Sequence, residues 1–371
     1  MGSQAIARRT LRLVRCGDML AVYAASSGGE DPLANLSVGE LPEPQLEPGW
    51  ALVEVRAASL NYHDIWTLRG ISSATVVPPQ ILGCDAAGVV AAYGGDPPAG
   101  APAVGTRVVV HAPVSCGFCL ACTGEEGRVC RSARMLSEPP LAGTMAELVA
   151  VPAVNLIALP DSVDFASAAC LPTAYLTAYH GLFTRAALRP GMNVLIHGAG
   201  GGLPSAAIML ASLAGVTVFA TTRGEAKRAL ALELGASAVY EPARETARAV
   251  IGATGGLGVD AVIDSVGEGT WELSLRCVRP GGTVVVHGAT TGDSPPAQLR
   301  RIFFRNVTVA GSTMGTRAEL RRLVELCANG RLRPLIGARH ALKDAPPAFA
   351  AMLHGEVRGK IVLDLPERTA R

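Results

Sequence analysis

The sequence predicts an α/β protein in which a doubly wound parallel sheet is joined to a second, barrel-like β domain. Three observations carry this. From Asp164 onward, apolar β runs alternate with helix-length segments, the rhythm of parallel strands joined by crossover helices. At the head of that alternation, Val194–Leu–Ile–His197 runs into Gly198–Ala–Gly200–Gly201–Gly202–Leu203–Pro204 and then a small-residue helical pattern. Before it, the chain consists of short strands cut by glycine and proline, without long helical patterns.

The chain's 371 residues can bury a large core and are enough for two domains. It is 49% hydrophobic and 17% charged, which excludes a disordered chain. A net charge of +2 argues against nucleic acid or an anionic membrane as partner, and 4% aromatic residues leave little for stacking on single strands. No charge-free apolar run reaches the roughly 18 residues of a membrane span. Nine cysteines, four of them crowded between Cys116 and Cys130, fit no disulfide framework and point to a reducing, cytoplasmic setting. Residues 1–18 carry Arg8, Arg9, Arg12 and Arg15 without a secretory apolar core, and read as a basic N-terminal extension.

In the first part, Leu20–Ala24 alternates poorly, Ser26–Asp31 reads as a polar loop, and Leu41–Gly49 as a proline-punctuated connection. Ala51–Ala57 alternates with period two and predicts a half-buried strand; Val108–His111 and Glu147–Val151 predict two more. Helical patterning then spans Ala166–Tyr179. The predicted alternation begins with strand Asn193–His197, helix Ser205–Ala214, strand Thr217–Ala220 and helix Ala226–Leu234. It continues with strand Ala238–Tyr240, helix Glu245–Gly252, strand Val259–Asp264, helix Thr270–Cys277 and strand Gly282–His287. Arg317–Asn329 reads as another helix, and Gly359–Asp364 as a strand outside the sheet rhythm. The β/α portion therefore reads as inserted between two parts of the first domain.

The glycine stretch suits a dinucleotide. Glycines let backbone approach a pyrophosphate, and unpaired N–H groups at a helix start hold the anion. Alone it is a weak signal. Cys116–x2–Cys119–x2–Cys122–x7–Cys130 is sharper: four thiolates so close can complete a tetrahedron around Zn²⁺ with no open position. Fe–S ligation is the competing reading of such spacing. A closed four-sulfur site leaves no room for substrate, so its role is structural.

A four-cysteine lobe within a β domain, followed by a glycine-loop α/β unit, resembles the medium-chain dehydrogenase/reductase superfamily. The resemblance runs from Met19 to Leu365 and includes Leu60–Asn–Tyr–His–Asp64, Gly83–Cys–Asp–Ala–Ala–Gly88, Gly288–Ala–Thr–Thr–Gly292 and Gly311–Ser–Thr–Met–Gly315. It implies a GroES-like β-barrel catalytic domain over 19–172 and 316–371, and a Rossmann dinucleotide-binding domain over 173–315. It also implies one structural Zn²⁺ on Cys116, Cys119, Cys122 and Cys130, and a homodimer paired near Val307–Gly311.

Zinc-dependent alcohol dehydrogenases of this superfamily carry a second, catalytic zinc. Its ligand positions correspond here to Asn61, Cys84–Asp85 and Thr173, with Cys170 nearby. Two ligands are lost and a third is changed. Cys84, Asp85 and His63 could improvise a site, but an emptied one is the stronger reading. Without a Lewis acid, hydride is better delivered to a C=C conjugated to a carbonyl, where charge spreads into an enolate. That is the reaction of zinc-lacking relatives: quinone oxidoreductases, enoyl reductases and crotonyl-CoA reductases. The predicted activity is thus an NADPH-dependent reductase of an enone, enoyl thioester or quinone. An alcohol dehydrogenase with an improvised metal and a non-catalytic NADPH-binding protein are the alternatives. Carboxylation is a lesser option, with only Asn61 matched to a CO₂ pocket.

Candidate catalytic residues are Asn61, Tyr62, His63, Thr173 and Thr177, with Tyr62 or His63 as proton donor. Trp66, Ile71–Val77 and Met135–Pro140 are expected to wall a largely apolar substrate pocket. Cofactor contacts are expected at Gly198, Gly200, Gly201, Gly202 and Leu203. Thr222 stands where NAD-binding folds place an acid; with Arg223 and Lys227 it suits a 2′-phosphate and hence NADPH. The resemblance adds His287, Gly288, Ala289, Ser312, Thr313 and Met314 at the nicotinamide end, and Lys360. Counting G-x-G-x-x-G from Gly198 puts Leu203 at the third glycine, which predicts a helix shifted off its strand.

Overall fold

The computed structural model describes residues 17–71, 75–124 and 129–368. The arginines of the N-terminal extension lie outside the described residues. Asp18 does not belong to that extension: it opens the strand Asp18–Ala24, paired antiparallel with Leu36–Pro42. The weak alternation of Leu20–Ala24 reflects burial on both faces, with Ala21, Val22 and Ala24 all buried.

Six parallel strands form the second unit. Their order is Ala238–Tyr240, Thr217–Thr221, Asn193–His197, Val259–Asp264, Val278–Val286 and Thr308–Gly311. This is the 3-2-1-4-5-6 order of a Rossmann sheet, whose direction of winding reverses between Asn193–His197 and Val259–Asp264. Both central strands are apolar runs buried on both faces, as parallel strands under two helical layers must be.

The first unit is a seven-stranded sheet around Trp50–Ser59, which pairs antiparallel with Asp85–Tyr93, Leu148–Pro152 and Lys360–Asp364. The chain's last strand thus returns to the first sheet, after the Rossmann unit. Its other neighbour, Ile336–Ala341, runs parallel to it and reaches it through the helix Ala345–Leu353. Sequence patterning missed this pair, because Pro346 and Pro347 mask a helix whose first turn tolerates proline.

One predicted helix is broken. Ala166–Tyr179 becomes an α-turn at Phe165–Ala169, a π-segment at Leu171–Tyr175, α again at Leu176–Tyr179, and a second π-segment at His180–Arg185. Pro172 cannot donate to the α-helical ladder, and the widened turn absorbs the loss. That widening lies where Thr173 meets the other domain.

Candidate active site

A cleft of about 430 Å³ lies between the two units, lined by the strand-to-helix corner at Leu60–His63, the glycine loop, Val266, Met314 and Lys360. The helix Gly202–Leu213 starts three residues earlier than its small-residue pattern suggests, with Gly201 as N-cap. Its first N–H groups have no partner inside the helix and open into the cleft. Gly200, at φ +108°, permits a turn that a side chain would strain, and a Cβ there would press on the Lys227 stem at 3.0 Å. A Cβ on Gly202 would meet Lys360 at 2.9 Å. Gly200 O also accepts a 3.0 Å bond from Gly359 N, tying the loop to the first unit. Bare backbone, a helix start and Lys227 form a cradle that fits a pyrophosphate. Leu203 lines the same cleft and packs against the large core that contains Ala206, Ala207 and Val194.

At the end of the second strand, the Thr222 hydroxyl donates 2.7 Å to Ala199 O and braces the glycine loop instead of facing outward. Arg223 is exposed. Lys227 reaches the cleft. At the far end, His287, Gly288, Thr313 and Met314 line the cleft, with Met314 at φ +52°, a backbone setting costly for its side chain. Ala289 instead packs on Gly267, and Ser312 is bound through its N–H to Val286 O at 3.0 Å.

Across the cleft, Ser59, Asn61, Asp85, Thr173 and Lys360 form one network. Asp85 accepts from Ser59 Oγ at 2.8 Å, Asn61 Nδ2 at 2.9 Å, Thr173 Oγ1 at 2.6 Å and Lys360 Nζ at 3.2 Å. Lys360 is only 3% exposed, and its ammonium also donates to Leu60 O and Asn61 Oδ1, both at 2.6 Å. It is therefore no solvated edge lysine. Its three donors are spent on three oxygens, and Asp85 is saturated. The Asn61 and Thr173 side chains are committed within this network. Among the sequence's catalytic candidates, Tyr62, His63 and Thr177 line the cleft with fewer obligations; Thr177 faces Met314 Sδ at 3.7 Å.

A possible metal alternative is the trio His63, Asp64 and Cys84, whose ligand atoms lie within 4.8 Å of one another. The donors fit a metal poorly. Asp64 uses its carboxylate on Asn61 N and Gly83 N, at 2.9 and 3.0 Å. Burial, with Asp64 and Asp85 close by, holds the Cys84 thiol well above its ordinary pKa and keeps it neutral. Sequence reasoning also missed Glu138, 3.5 Å from His63 Nε2. A lone acid before two prolines carries no motif.

Of the expected substrate walls, Trp66 and Met135 line the cleft. Val77, Pro139 and Pro140 line a separate groove, and residues 72–74 lie outside the described residues.

The four cysteines of the lobe come together: Sγ atoms of Cys116 and Cys122 are 3.8 Å apart, Cys119 and Cys122 3.5 Å, and Cys116 and Cys130 3.5 Å. Tetrahedral sulfurs at a Zn–S distance of about 2.3 Å stand roughly this far from one another, so the set fits zinc. Backbone donors at Cys116 and Ser132 lower the Cys130 thiol to about 6, which favours the ligating thiolate. No helix among the described residues is long and apolar enough to cross a membrane.

The chain is similar to known proteins over most of its length. The family described as zinc-binding dehydrogenase matches residues 202–329, and the alcohol dehydrogenase GroES-like domain matches residues 47–161. The spectinabilin polyketide synthase system protein NorB of Streptomyces orinoci is 33% identical over 93% of this chain, which spans only 14% of that protein's length. Crotonyl-CoA carboxylase/reductase of Cereibacter sphaeroides is 28% identical, over 91% of this chain and 84% of its own. A solved NAD-dependent alcohol dehydrogenase superposes with a TM-score of 0.87 at 33% identity, covering 94% of this chain and all of its own. The 2-octenoyl-CoA carboxylase reductase CinF, solved with NADP and 2-octenoyl-CoA, superposes with a TM-score of 0.87 at 25% identity, covering 95% and 89%.

Proposed function

We propose, from the premise that the chain belongs to the zinc-binding dehydrogenases with an alcohol dehydrogenase GroES-like domain, a family of oxidoreductases, that it is an NADPH-dependent reductase of a C=C conjugated to a carbonyl. The substrate class is an enone, enoyl thioester or quinone. One observation carries the reading: the Lys360 ammonium is bound by Asn61 and Asp85, at positions that the resemblance assigns to catalytic-metal ligands in zinc-dependent dehydrogenases. A carbonyl with no Lewis acid beside it is a poor hydride acceptor, whereas an enolate needs only hydrogen-bond donors.

NADPH supplies hydride from its nicotinamide. The glycine loop and the N–H groups of Gly202 and Leu203 hold the pyrophosphate, with Lys227 close by. Arg223 and Lys227 meet the 2′-phosphate. Leu60, Trp66, Met135 and Met314 exclude water from the reacting carbons. The NADP complex of CinF and the crotonyl-CoA reductase likeness support both the cofactor and the activated alkene. Cys116, Cys119, Cys122 and Cys130 hold one structural zinc. None of the described cysteines is in a disulfide, in keeping with the cytoplasm. Two chains pair through the exposed edge strand Thr308–Gly311, where Val309, Phe303 and Phe304 present apolar surface.

The His63, Asp64 and Cys84 grouping sustains a second reading, an alcohol dehydrogenase with an improvised metal. A zinc count and a substrate panel followed by NADPH absorbance separate the two. The reductase predicts one zinc per chain and turnover of conjugated alkenes. Two tightly held zincs with turnover of simple aldehydes alone would refute it, and no turnover of any substrate would favour a non-catalytic NADPH-binding role.

A further inference from the structure

Trp66 reaches across the cleft from the first unit to the second. Its helix, Tyr62–Arg69, buries Asp64, Ile65, Thr67 and Leu68 in the first unit and presents Tyr62, His63 and Trp66 to the cleft. Asp64 fixes the start of the helix through Asn61 N and Gly83 N, and at its end Ile71 N donates 3.1 Å to Trp66 O. The indole meets the Tyr62 ring edge-on, with centroids 5.8 Å apart and planes at 79°. Tyr62 in turn carries the Arg69 guanidinium, 6.0 Å from its ring centre. The indole is therefore braced by an aromatic partner on a helix that is itself anchored.

The far edge of that indole comes up against Gly288. Trp66 Cη2 lies 3.9 Å from the point that a Cβ on Gly288 would occupy, an ordinary van der Waals distance. The space between the indole and the Gly288 backbone is thus about one methyl group wide. Gly288 follows His287, directly after the strand Val278–Val286, and both residues line the cleft. Other walls can yield: Met135 and Met314 are unbranched thioethers that adapt to the shape of a ligand. A ring set between Tyr62 and Gly288 cannot. The same cleft of about 430 Å³ must also take the nicotinamide, which leaves little room beside the indole.

We propose that Trp66, laid across the cleft onto Gly288, sets the size of the substrate. Conjugated carbonyl compounds whose β-carbon carries hydrogen or a short alkyl group enter, and those with an aryl or branched group there are refused. This rests on the reductase reading above. The carbon that takes hydride lies against the nicotinamide, so the substituent on that carbon is the one that meets the indole. Trp66 is a specificity-determining residue for that reaction.

The test uses the full-length protein, with NADPH binding followed by fluorescence to confirm that each variant is folded. Two enones that differ only at the β-carbon are compared: ethylideneacetone, which carries a methyl group, and benzylideneacetone, which carries a phenyl. The parent should favour the methyl compound in kcat/KM by about 100-fold. Trp66→Ala should bring that ratio to within about fivefold by raising kcat/KM for the phenyl compound. Trp66→Phe shortens the side chain without removing it and should fall between the two. Calorimetry with benzylacetone, the saturated product, in the presence of NADP⁺ gives a reading that needs no turnover. Binding should be absent in the parent and measurable in Trp66→Ala.

A ratio in Trp66→Ala within about threefold of the parent's would overturn the role, as would a parent that takes both enones equally well. If neither parent nor variant reduces either enone, the reductase reading fails, and benzylacetone binding still decides whether Trp66 limits the cleft. Equal binding by the parent and Trp66→Ala would then overturn that limit.

Discussion

The cysteine lobe and the pocket around Asp85 both gather groups able to hold a cation, yet they do it with opposite chemistry. The lobe offers four sulfurs, three of them half-buried and Cys130 buried, flanked by Phe118 and Leu120, which are 81% and 93% exposed. With so little apolar packing, a metal is the natural support for such a loop. The Asp85 pocket offers oxygens in full burial, and the protein fills it with its own ammonium, Lys360. Thiolates select a soft metal, whereas a buried carboxylate surrounded by hydroxyl and amide groups can be neutralised from within. Where the cation comes from therefore divides a structural site from a site free to bind substrate.

The largest expected effect comes from taking the metal away from the lobe. Cys130→Ser should remove the zinc and cost about 5 kcal/mol or more in denaturant unfolding, the scale of a lost metal. Zinc analysis beside the unfolding curve checks it. A zinc-free variant that unfolds at the parent's midpoint would mean that the lobe stands without a metal.

Next is Lys360→Met, which leaves Asp85 charged and buried with only Ser59, Asn61 and Thr173 as donors. Breaking a buried pair from one side costs about 3–5 kcal/mol. The zinc count sharpens the comparison. It should remain one per chain, because Asn61 and Thr173 are poor zinc ligands. A rise to two would show that Lys360 was excluding a metal.

The two regions were unequally legible in the sequence. The cysteine spacing is local, and the structure gathers those four side chains as the spacing implies. The parallel sheet was legible too: Asn193–His197 and Val259–Asp264 occupy the predicted spans, since buried parallel strands are continuous apolar runs. The Asp85 network was not, because its partners are far apart in the chain. Lys360 is 275 residues from Asp85, and Glu138 is 75 residues beyond His63, so no local pattern links either pair. The bond made by the Thr222 hydroxyl was not legible for a related reason. Its partner, Ala199 O, is a backbone oxygen that no sequence displays.

Acidification should separate the regions as well. The Cys130 thiol is lowered from 9.0 to about 6, so its thiolate persists down to about pH 6 and is protonated below it. Protons compete with zinc for that thiolate, and release to a chelator should speed up as pH falls, by about tenfold for each pH unit if one proton is limiting. Stopped-flow measurements with a coloured chelator would show it. A flat rate from pH 7 to 5 would mean that Cys130 does not control release.

Thr173 gives the smallest and most discriminating test. Its hydroxyl donates 2.6 Å to Asp85, and three other donors remain when it is removed. Thr173→Val should therefore cost only about 1 to 2 kcal/mol, the value of one hydrogen bond to a charged acceptor that keeps other partners. Thr173→Cys goes further, because it puts a thiol back at a ligand position while Lys360 still holds the cation's place. If ligand type alone separated the two regions, this variant would take up a second zinc. With Lys360 in place the count should remain at one, and adding Lys360→Met to Thr173→Cys should be what lets it rise. A second zinc in the single variant would show that the ammonium yields to a metal once a thiolate is offered, making ligand chemistry the deciding difference.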